Sequence, residues 1–96
     1  MEISKSDLVL STAGHDRGKL FFVMDTDGVY VFLANGKDRK IEAPKRKKLI
    51  HVKKVLRPDS PVADRIAAGA QVLNSELRRE LAAISQTSNV TTKEGL

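Results

Sequence analysis

The chain has 96 residues, of which 41% are hydrophobic, and this is enough for one small domain with a modest core. It contains no cysteine, so disulfide bonds, thiolate zinc sites and cysteine nucleophiles are excluded. No apolar run approaches the length of a membrane span, and the first residues lack the hydrophobic region of a signal peptide. We therefore expect a cytoplasmic protein with no membrane partner.

The positive charge is concentrated in the first part of the chain. Residues 1–57 hold 13 Lys or Arg against 7 Asp or Glu, a net charge of +6, whereas residues 58–96 carry a net charge of −1. A basic face on one module is typical of a surface that binds a polyanion. We predict a β domain over residues 1–57, a helical appendage packed on it over 58–85, and a disordered tail over 86–96.

Five short strands are predicted in the β domain. They cover residues 8–12, 20–24, 29–34, 39–41 and 49–55, and glycine-containing turns join the first four. The second and third strands are apolar on both faces, so both faces must be covered. Five short strands within about 50 residues favour a small closed barrel. Its interior would cover one face, and the C-terminal helices would cover the other.

The second part of the chain predicts two short helices, or one kinked helix that continues through Gly69. Ser60 is placed to cap the first helix, Pro61 to occupy its first position and Gly69 to end it. Asn74 is placed to cap a second helix whose apolar face would include Leu77. The predicted fold class is therefore mainly β with a C-terminal α appendage.

The most basic segment is residues 39–54, RKIEAPKRKKLIHVKK, with eight Lys or Arg against one acid. At its centre four cations follow one another directly: Lys45, Arg46, Lys47 and Lys48. We predict that they lie in a loop after Pro44. Such a cluster repels itself and resists burial, so a polyanion is its natural partner. A solvated loop that serves only solubility is the alternative.

Two further basic loops and one strand position extend the predicted phosphate-binding surface. Its remaining members are Gly14, His15, Arg17, Gly18, Lys19, Lys37, Arg39, Lys40 and Lys53. The two glycines would shape a tight loop and let the backbone approach phosphate. A plain turn whose charges face water is the alternative. The sequence leaves open whether the loop with Lys37 shares a face with the central four cations.

The positions of the aromatic residues and the lack of catalytic motifs narrow the range of functions further. All four aromatic residues lie within apolar strand runs, which favours core packing over base stacking and hence structured RNA over single strands. His15 and His51 lack the carboxylate pattern of a metal site or a catalytic pair, and no serine has a nucleophile signature. We therefore expect a protein that is not an enzyme and needs no cofactor.

A resemblance to KOW domains, the small SH3-like barrels of several ribosomal proteins and transcription elongation factors, is carried by residues 8–52, LVLSTAGHDRGKLFFVMDTDGVYVFLANGKDRKIEAPKRKKLIHV. The segments GKDRKIEAPKRKKLIHV and LNSELRREL are also similar to bacterial KOW-domain RNA-binding proteins related to a large-subunit ribosomal protein of archaea and eukaryotes. This resemblance implies a five-stranded SH3-like barrel that binds ribosomal RNA and acts in translation or ribosome assembly.

The partners predicted for the chain follow from these observations. We expect a monomer that docks on RNA and contacts ribosomal proteins on a ribonucleoprotein surface. The alternative is a protein-interaction module that binds an acidic partner such as a transcription or ribosomal component, because SH3-like barrels commonly bind peptides.

Overall fold

The computed structural model describes residues 2–94, with side chains described for residues 2–85. Five strands form one antiparallel sheet: β1 (Leu8–Ser11), β2 (Leu20–Thr26), β3 (Tyr30–Ala34), β4 (Lys45–Lys48) and β5 (Val52–Leu56). A 3₁₀ turn at Leu49–His51 connects the last two strands, and two helices follow, α1 (Pro61–Ala68) and α2 (Asn74–Glu94). The predicted class, mainly β with a C-terminal helical part, is confirmed.

The sheet is open but strongly curved. Its strand order is β4-β3-β2-β1-β5, and among the described residues no pairing joins the two edge strands, so the sheet is not closed. The closed barrel predicted from the sequence is therefore not confirmed. In a flat sheet, four spacings of about 4.8 Å would separate these edges by roughly 19 Å. The chain covers the distance from Lys48 to Val52 in four residue steps, which reach about 14 Å at most. The edges must therefore bend toward each other.

Both faces of the curved sheet are buried. The inner face, which packs with Leu49 of the connecting turn, holds Val9, Phe21, Val23, Val31 and Leu33. On the outer face, Leu8, Phe22 and Ala34 pack with Ile66, Val72, Leu77 and Leu81 from the helical part. Successive side chains of a strand point to opposite faces, which is why the consecutive phenylalanines of β2 enter different clusters. Sheet and helices therefore share one outer core.

The strand predicted over residues 39–41 is wrong, because these residues lie in the loop between β3 and β4. The side chain of Asn35 explains the difference. Its Oδ1 accepts hydrogen bonds from the backbone N–H groups of Lys37 and Arg39, at 2.9 and 3.0 Å. These bonds curl the chain back on itself instead of extending it.

The basic segment predicted as a loop, residues 45–48, is the edge strand β4. Its backbone pairs with β3 from Leu33↔Lys45 to Tyr30↔Lys48. The strand predicted over residues 49–55 begins later, because the 3₁₀ turn occupies its first three positions. The loop prediction therefore failed where pairing with a distant segment outweighed local charge repulsion.

The helical part forms two helices, and α1 begins and ends where its capping residues predict. Ser60 Oγ accepts a hydrogen bond from Ala63 N at 3.2 Å, and Gly69 follows the last turn with φ 76°. The capping role predicted for Asn74 is wrong. Its Oδ1 accepts from Ile41 N at 2.8 Å, and its Nδ2 donates to Glu42 Oε1 at 2.9 Å. Asn74 thus fastens α2 to the loop between β3 and β4.

The remaining predictions concern the tail and the membrane. The tail predicted over residues 86–96 lies outside the described side chains, and its last two residues lie outside the described backbone, so its disorder stays a prediction. Within the part of the chain that the structure covers, neither helix has the length and apolar character needed to cross a bilayer.

Candidate nucleic-acid interface

The predicted phosphate-binding cations lie mainly in three segments: two loops at one end of the sheet, and the edge strand β4, which runs from that end at Lys45 toward the other end at Lys48. We call residues 12–19, between β1 and β2, the first basic loop, and residues 35–44, between β3 and β4, the second basic loop; β4 is the third segment. The register places the end of β1 beside the start of β2, and the end of β3 beside the start of β4. Because β2 also pairs antiparallel with β3, both loops emerge at the same end.

Two ion pairs join the two basic loops. Lys19 Nζ lies 2.9 Å from Asp38 Oδ2, and Arg39 Nη2 lies 3.2 Å from Asp16 Oδ2. The hydrogen bond and charge of Lys19 lower the pKa of the exposed Asp38. Asp16 is buried, so its pair with Arg39 is less screened by water than the exposed pair. Lys19 and Arg39 therefore position the loops and share their charge with acids.

Lys47 joins β4 to the first basic loop. Its Nζ donates a hydrogen bond to the backbone oxygen of Ala13 at 2.8 Å, and the residue is only 9% exposed. It lies opposite Val31, a residue of the inner face. The neighbouring Arg46 and Lys48 are exposed because alternate residues of a strand face opposite sides. The Lys47 ammonium group is therefore used inside the fold, where it holds the loop in place.

The other three cations of β4 form no ion pair among the described side chains. Within the described side chains, no Asp or Glu oxygen lies within 4.0 Å of the charged nitrogens of Lys45, Arg46 or Lys48. The charge of Arg46 does act on the exposed Asp27, whose pKa is lowered mainly by backbone hydrogen bonds from Tyr30 and Val29 and in smaller part by Arg46. The guanidinium carbon of Arg46 lies 4.4 Å from the centroid of the Tyr30 ring, which holds this side chain against the sheet. The charge on this strand is thus available to an external anion.

The remaining predicted site residues divide between the loops and the far edge of the sheet. His15, Arg17, Lys37 and Lys40 are exposed in the two loops, where Gly14 and Gly18 adopt positive φ angles of 75° and 86°. Lys53 lies on β5, at the edge opposite β4, and pairs with Leu10. The fold therefore brings together the two loops and the start of β4, whereas Lys48 lies at the far end of β4 and Lys53 at the opposite edge of the sheet.

Arg78 of α2 also reaches this end of the sheet, although the sequence reading did not include it in the site. Its Nη1 donates to the backbone oxygen of Gly36 at 2.6 Å. A cleft of about 430 Å³ lies between the two basic loops and α2, with Lys19, Lys37 and Arg78 in its lining. The helices are nearly neutral overall, so only the packing of α2 on the second basic loop reveals this cation.

Among the described residues, no group of three or more His, Asp or Glu side chains is placed to hold a metal ion.

Comparison with known proteins does not add an assignment to this geometry. No protein-family model matches the chain, and no curated protein matches it. The resemblance to KOW-domain proteins therefore stays a prediction.

Proposed function

We propose that the protein is a non-catalytic RNA-binding module that holds structured RNA through its phosphates. The observation that carries this proposal is the charge of exposed Arg46 and Lys48 and half-buried Lys45, which lie on an edge strand and form no ion pair with a carboxylate among the described side chains. Cations without a close acidic partner, fixed on a rigid strand, create a positive field that favours a phosphate backbone.

Protection of the sheet edge is the simplest competing explanation for these cations. Natural edge strands often carry lysines that prevent edge-to-edge aggregation. That role needs charge on β4 alone. It does not require the two basic loops to be joined by the Lys19–Asp38 and Arg39–Asp16 ion pairs, or the first loop to be held by Lys47. The joined loops therefore favour a binding surface that extends beyond the edge.

The aromatic side chains support structured RNA over stacked single strands. Phe21 and Phe22 are fully buried, and Arg46 lies over the ring of Tyr30. Phe32 is half-buried on β3. Proteins that bind single strands present exposed rings on which successive bases stack. This surface instead presents positive charge, which suits recognition of an RNA helix by its shape and backbone.

The assignment to a KOW-type barrel that binds ribosomal RNA rests on both the curvature of the sheet and the sequence resemblance. The curvature that brings β4 and β5 toward each other, across a single 3₁₀ turn, supports an SH3-like barrel of the KOW type. The sequence resemblance favours ribosomal RNA as the ligand and translation or ribosome assembly as the process. Co-sedimentation with ribosomal particles in a sucrose gradient, abolished by ribonuclease, is the expected result for that ligand.

The direct test compares two double variants that lose the same charge. K45S/K48S should weaken binding to an RNA hairpin and flatten the salt dependence of affinity. Each lost phosphate contact should reduce the slope of log affinity against log salt by about 0.7–0.9, or roughly 1.5 for the pair. The control K5S/R79S removes two cations outside the three basic segments and should retain the wild-type slope.

Fluorescence anisotropy of a labelled hairpin, between roughly 50 and 200 mM salt, measures both quantities. Equal affinities and equal slopes for the two double variants would show that β4 does not contact phosphate. Lys47 is left unchanged in this test because its bond to Ala13 holds the first basic loop, and its loss would confuse binding with folding.

A further inference from the structure

The edge of the sheet opposite β4 has a different character. The outer side of β5 has no pairing partner among the described strands. Three large apolar side chains are exposed on or next to it: Ile50 is 80% exposed, Val55 46% and Leu56 39%. Single exposed apolar side chains are common, but several along one sheet edge mark a docking site or an aggregation hazard.

An open apolar groove lies beside Ile50. It has a volume of about 430 Å³, and its apolar lining comes from Ile3, Leu49, Ile50 and Val52. Leu49 and Val52 pack against the inner core, which fixes the floor of the groove. Lys53 and Lys54 complete the lining. Lys54 Nζ lies 3.4 Å from Asp7, whereas Lys53 is exposed and has no carboxylate within ion-pair distance in the described structure.

The two faces of β5 offer different chemistry to an added strand. Val52 packs with the inner core, whereas Lys53 lies opposite Leu10 and points to the other face. A strand laid along β5 would meet the apolar side chain of Val52 and the ammonium group of Lys53 at successive positions. Its own side chains should therefore alternate between apolar and acidic.

We propose that β5 binds an extended acidic segment of another protein by strand addition. Apolar side chains of this segment occupy the groove beside Ile50, and its carboxylates face Lys53. The unpaired backbone groups of the edge supply affinity, and the alternating side chains supply specificity. The proposal does not rest on RNA binding, because it uses the unpaired edge of β5 and the groove beside Ile50 rather than the cations of β4.

Charge complementarity favours an acidic partner over a second copy of this chain. Pairing β5 with another β5 would set the Lys53–Lys54 segments of the two copies against each other. Like charges directly opposed across strands are destabilising. An acidic strand removes that repulsion and neutralises Lys53.

The test uses the full chain and a fluorescein-labelled peptide of about ten residues that alternates valine and glutamate. Fluorescence anisotropy should show binding about tenfold tighter than for the same peptide with lysine in place of glutamate. Ile50→Ser should weaken binding about tenfold, because it removes the apolar wall of the groove. The matched control Val29→Ser changes a residue that is 60% exposed at the turn between β2 and β3, and it should leave the affinity unchanged.

Lys53→Glu gives the sharpest result, because it should reverse the preference and select the valine–lysine peptide. Equal binding of the two peptides by the wild type, or equal weakening by Ile50→Ser and Val29→Ser, would overturn the proposal. If the protein dimerises and Ile50→Ser abolishes the dimer, the edge binds a second copy. If an RNA hairpin displaces the peptide, the edge binds RNA. Either result overturns the proposal. K45S/K48S should bind the peptide as tightly as the wild type does. This variant therefore distinguishes a failure of the peptide proposal from a failure of the RNA proposal.

Discussion

Gly36 shows how one missing methyl group lets the second basic loop lie against α2. Its φ is 76°, and a Cβ at this position would overlap the backbone oxygen of Asn74. The same contact region contains the hydrogen bonds from Ile41 N to Asn74 Oδ1 and from Arg78 to the Gly36 oxygen. Any side chain at Gly36 must therefore push the loop away from the helix.

Gly36→Ala should lower the free energy of unfolding by roughly 3–5 kcal/mol, because left-handed strain of about 1–2 kcal/mol adds to the loss of these hydrogen bonds. Gly28→Ala is the matched control, since Gly28 has φ 93° and, apart from its immediate chain neighbours, no atom of the described residues lies within 4 Å of the new Cβ. It should cost about 1–2 kcal/mol. Urea denaturation measures both, and equal losses would show that the loop does not depend on close approach to α2.

At the level of the elements, Asp7 fastens the segment before β1 to the end of β5. Its carboxylate is fully buried and accepts hydrogen bonds from Ser4 N at 2.8 Å and Arg57 Nε at 2.9 Å, with Lys54 Nζ 3.4 Å away. Burial alone would raise the pKa of Asp7. The hydrogen bonds from Ser4 and Arg57 and the nearby positive charges outweigh it, so the pKa lies below its ordinary value of 3.8.

Asp7→Asn should lower the free energy of unfolding by about 1–2 kcal/mol at neutral pH, since Arg57 is half exposed and the pair is partly screened. Because folding lowers the pKa, the stabilisation is complete above 3.8 and is lost as the pH falls through the folded value. The difference between wild type and Asp7→Asn should therefore shrink in acid. Urea denaturation at neutral pH and near pH 3 tests this.

Asp59→Asn provides the control for charge removal, because Asp59 is exposed. It should change stability by less than about 0.5 kcal/mol at either pH. If Asp7→Asn lowers the free energy of unfolding by the same amount at both pH values, packing rather than ionisation accounts for the role of Asp7.

The elements that the sequence predicts well are those with local signals. The Asp27-Gly28 turn and the caps Ser60 and Gly69 act within a few residues, so β2, β3 and α1 could be predicted with small boundary errors. β4 could not, because four adjacent cations indicate a solvated loop until pairing with β3 is known. The charge of the site was predictable, whereas the joining of its loops was not. That joining depends on distant carboxylates whose pairing has no local signal.

At the scale of the whole molecule, one curved sheet carries two unlike edges. β4 carries three exposed or half-exposed cations that form no ion pair with the described side chains, and β5 carries apolar side chains beside Lys53. Under the two proposals, RNA and an acidic protein segment occupy different edges at the same time. Such a molecule would connect a protein to an RNA surface. The core that the sheet and helices share would fix the positions of the two edges relative to each other.

Leu77 tests whether that shared core makes the molecule one cooperative unit. It is fully buried in the outer core, with Leu8 and Phe22 of the sheet. Leu77→Ala should lower the free energy of unfolding by about 2–5 kcal/mol. Leu73→Ala makes the same change at a residue that is more than half exposed, and it should cost less than about 1 kcal/mol.

The only tyrosine, Tyr30, lies in the sheet, and the chain has no tryptophan, so tyrosine fluorescence reports the sheet while circular dichroism near 222 nm is dominated by the helices. If the two layers depend on each other, Leu77→Ala should move both transitions to the same lower denaturant concentration. Helical signal lost before the tyrosine signal would instead show that residues 58–85 fold as a separate appendage. The outer face of the sheet, which includes Phe22, would then have to stay folded without the helices that cover it. That is unfavourable, because apolar area now buried would be exposed to water.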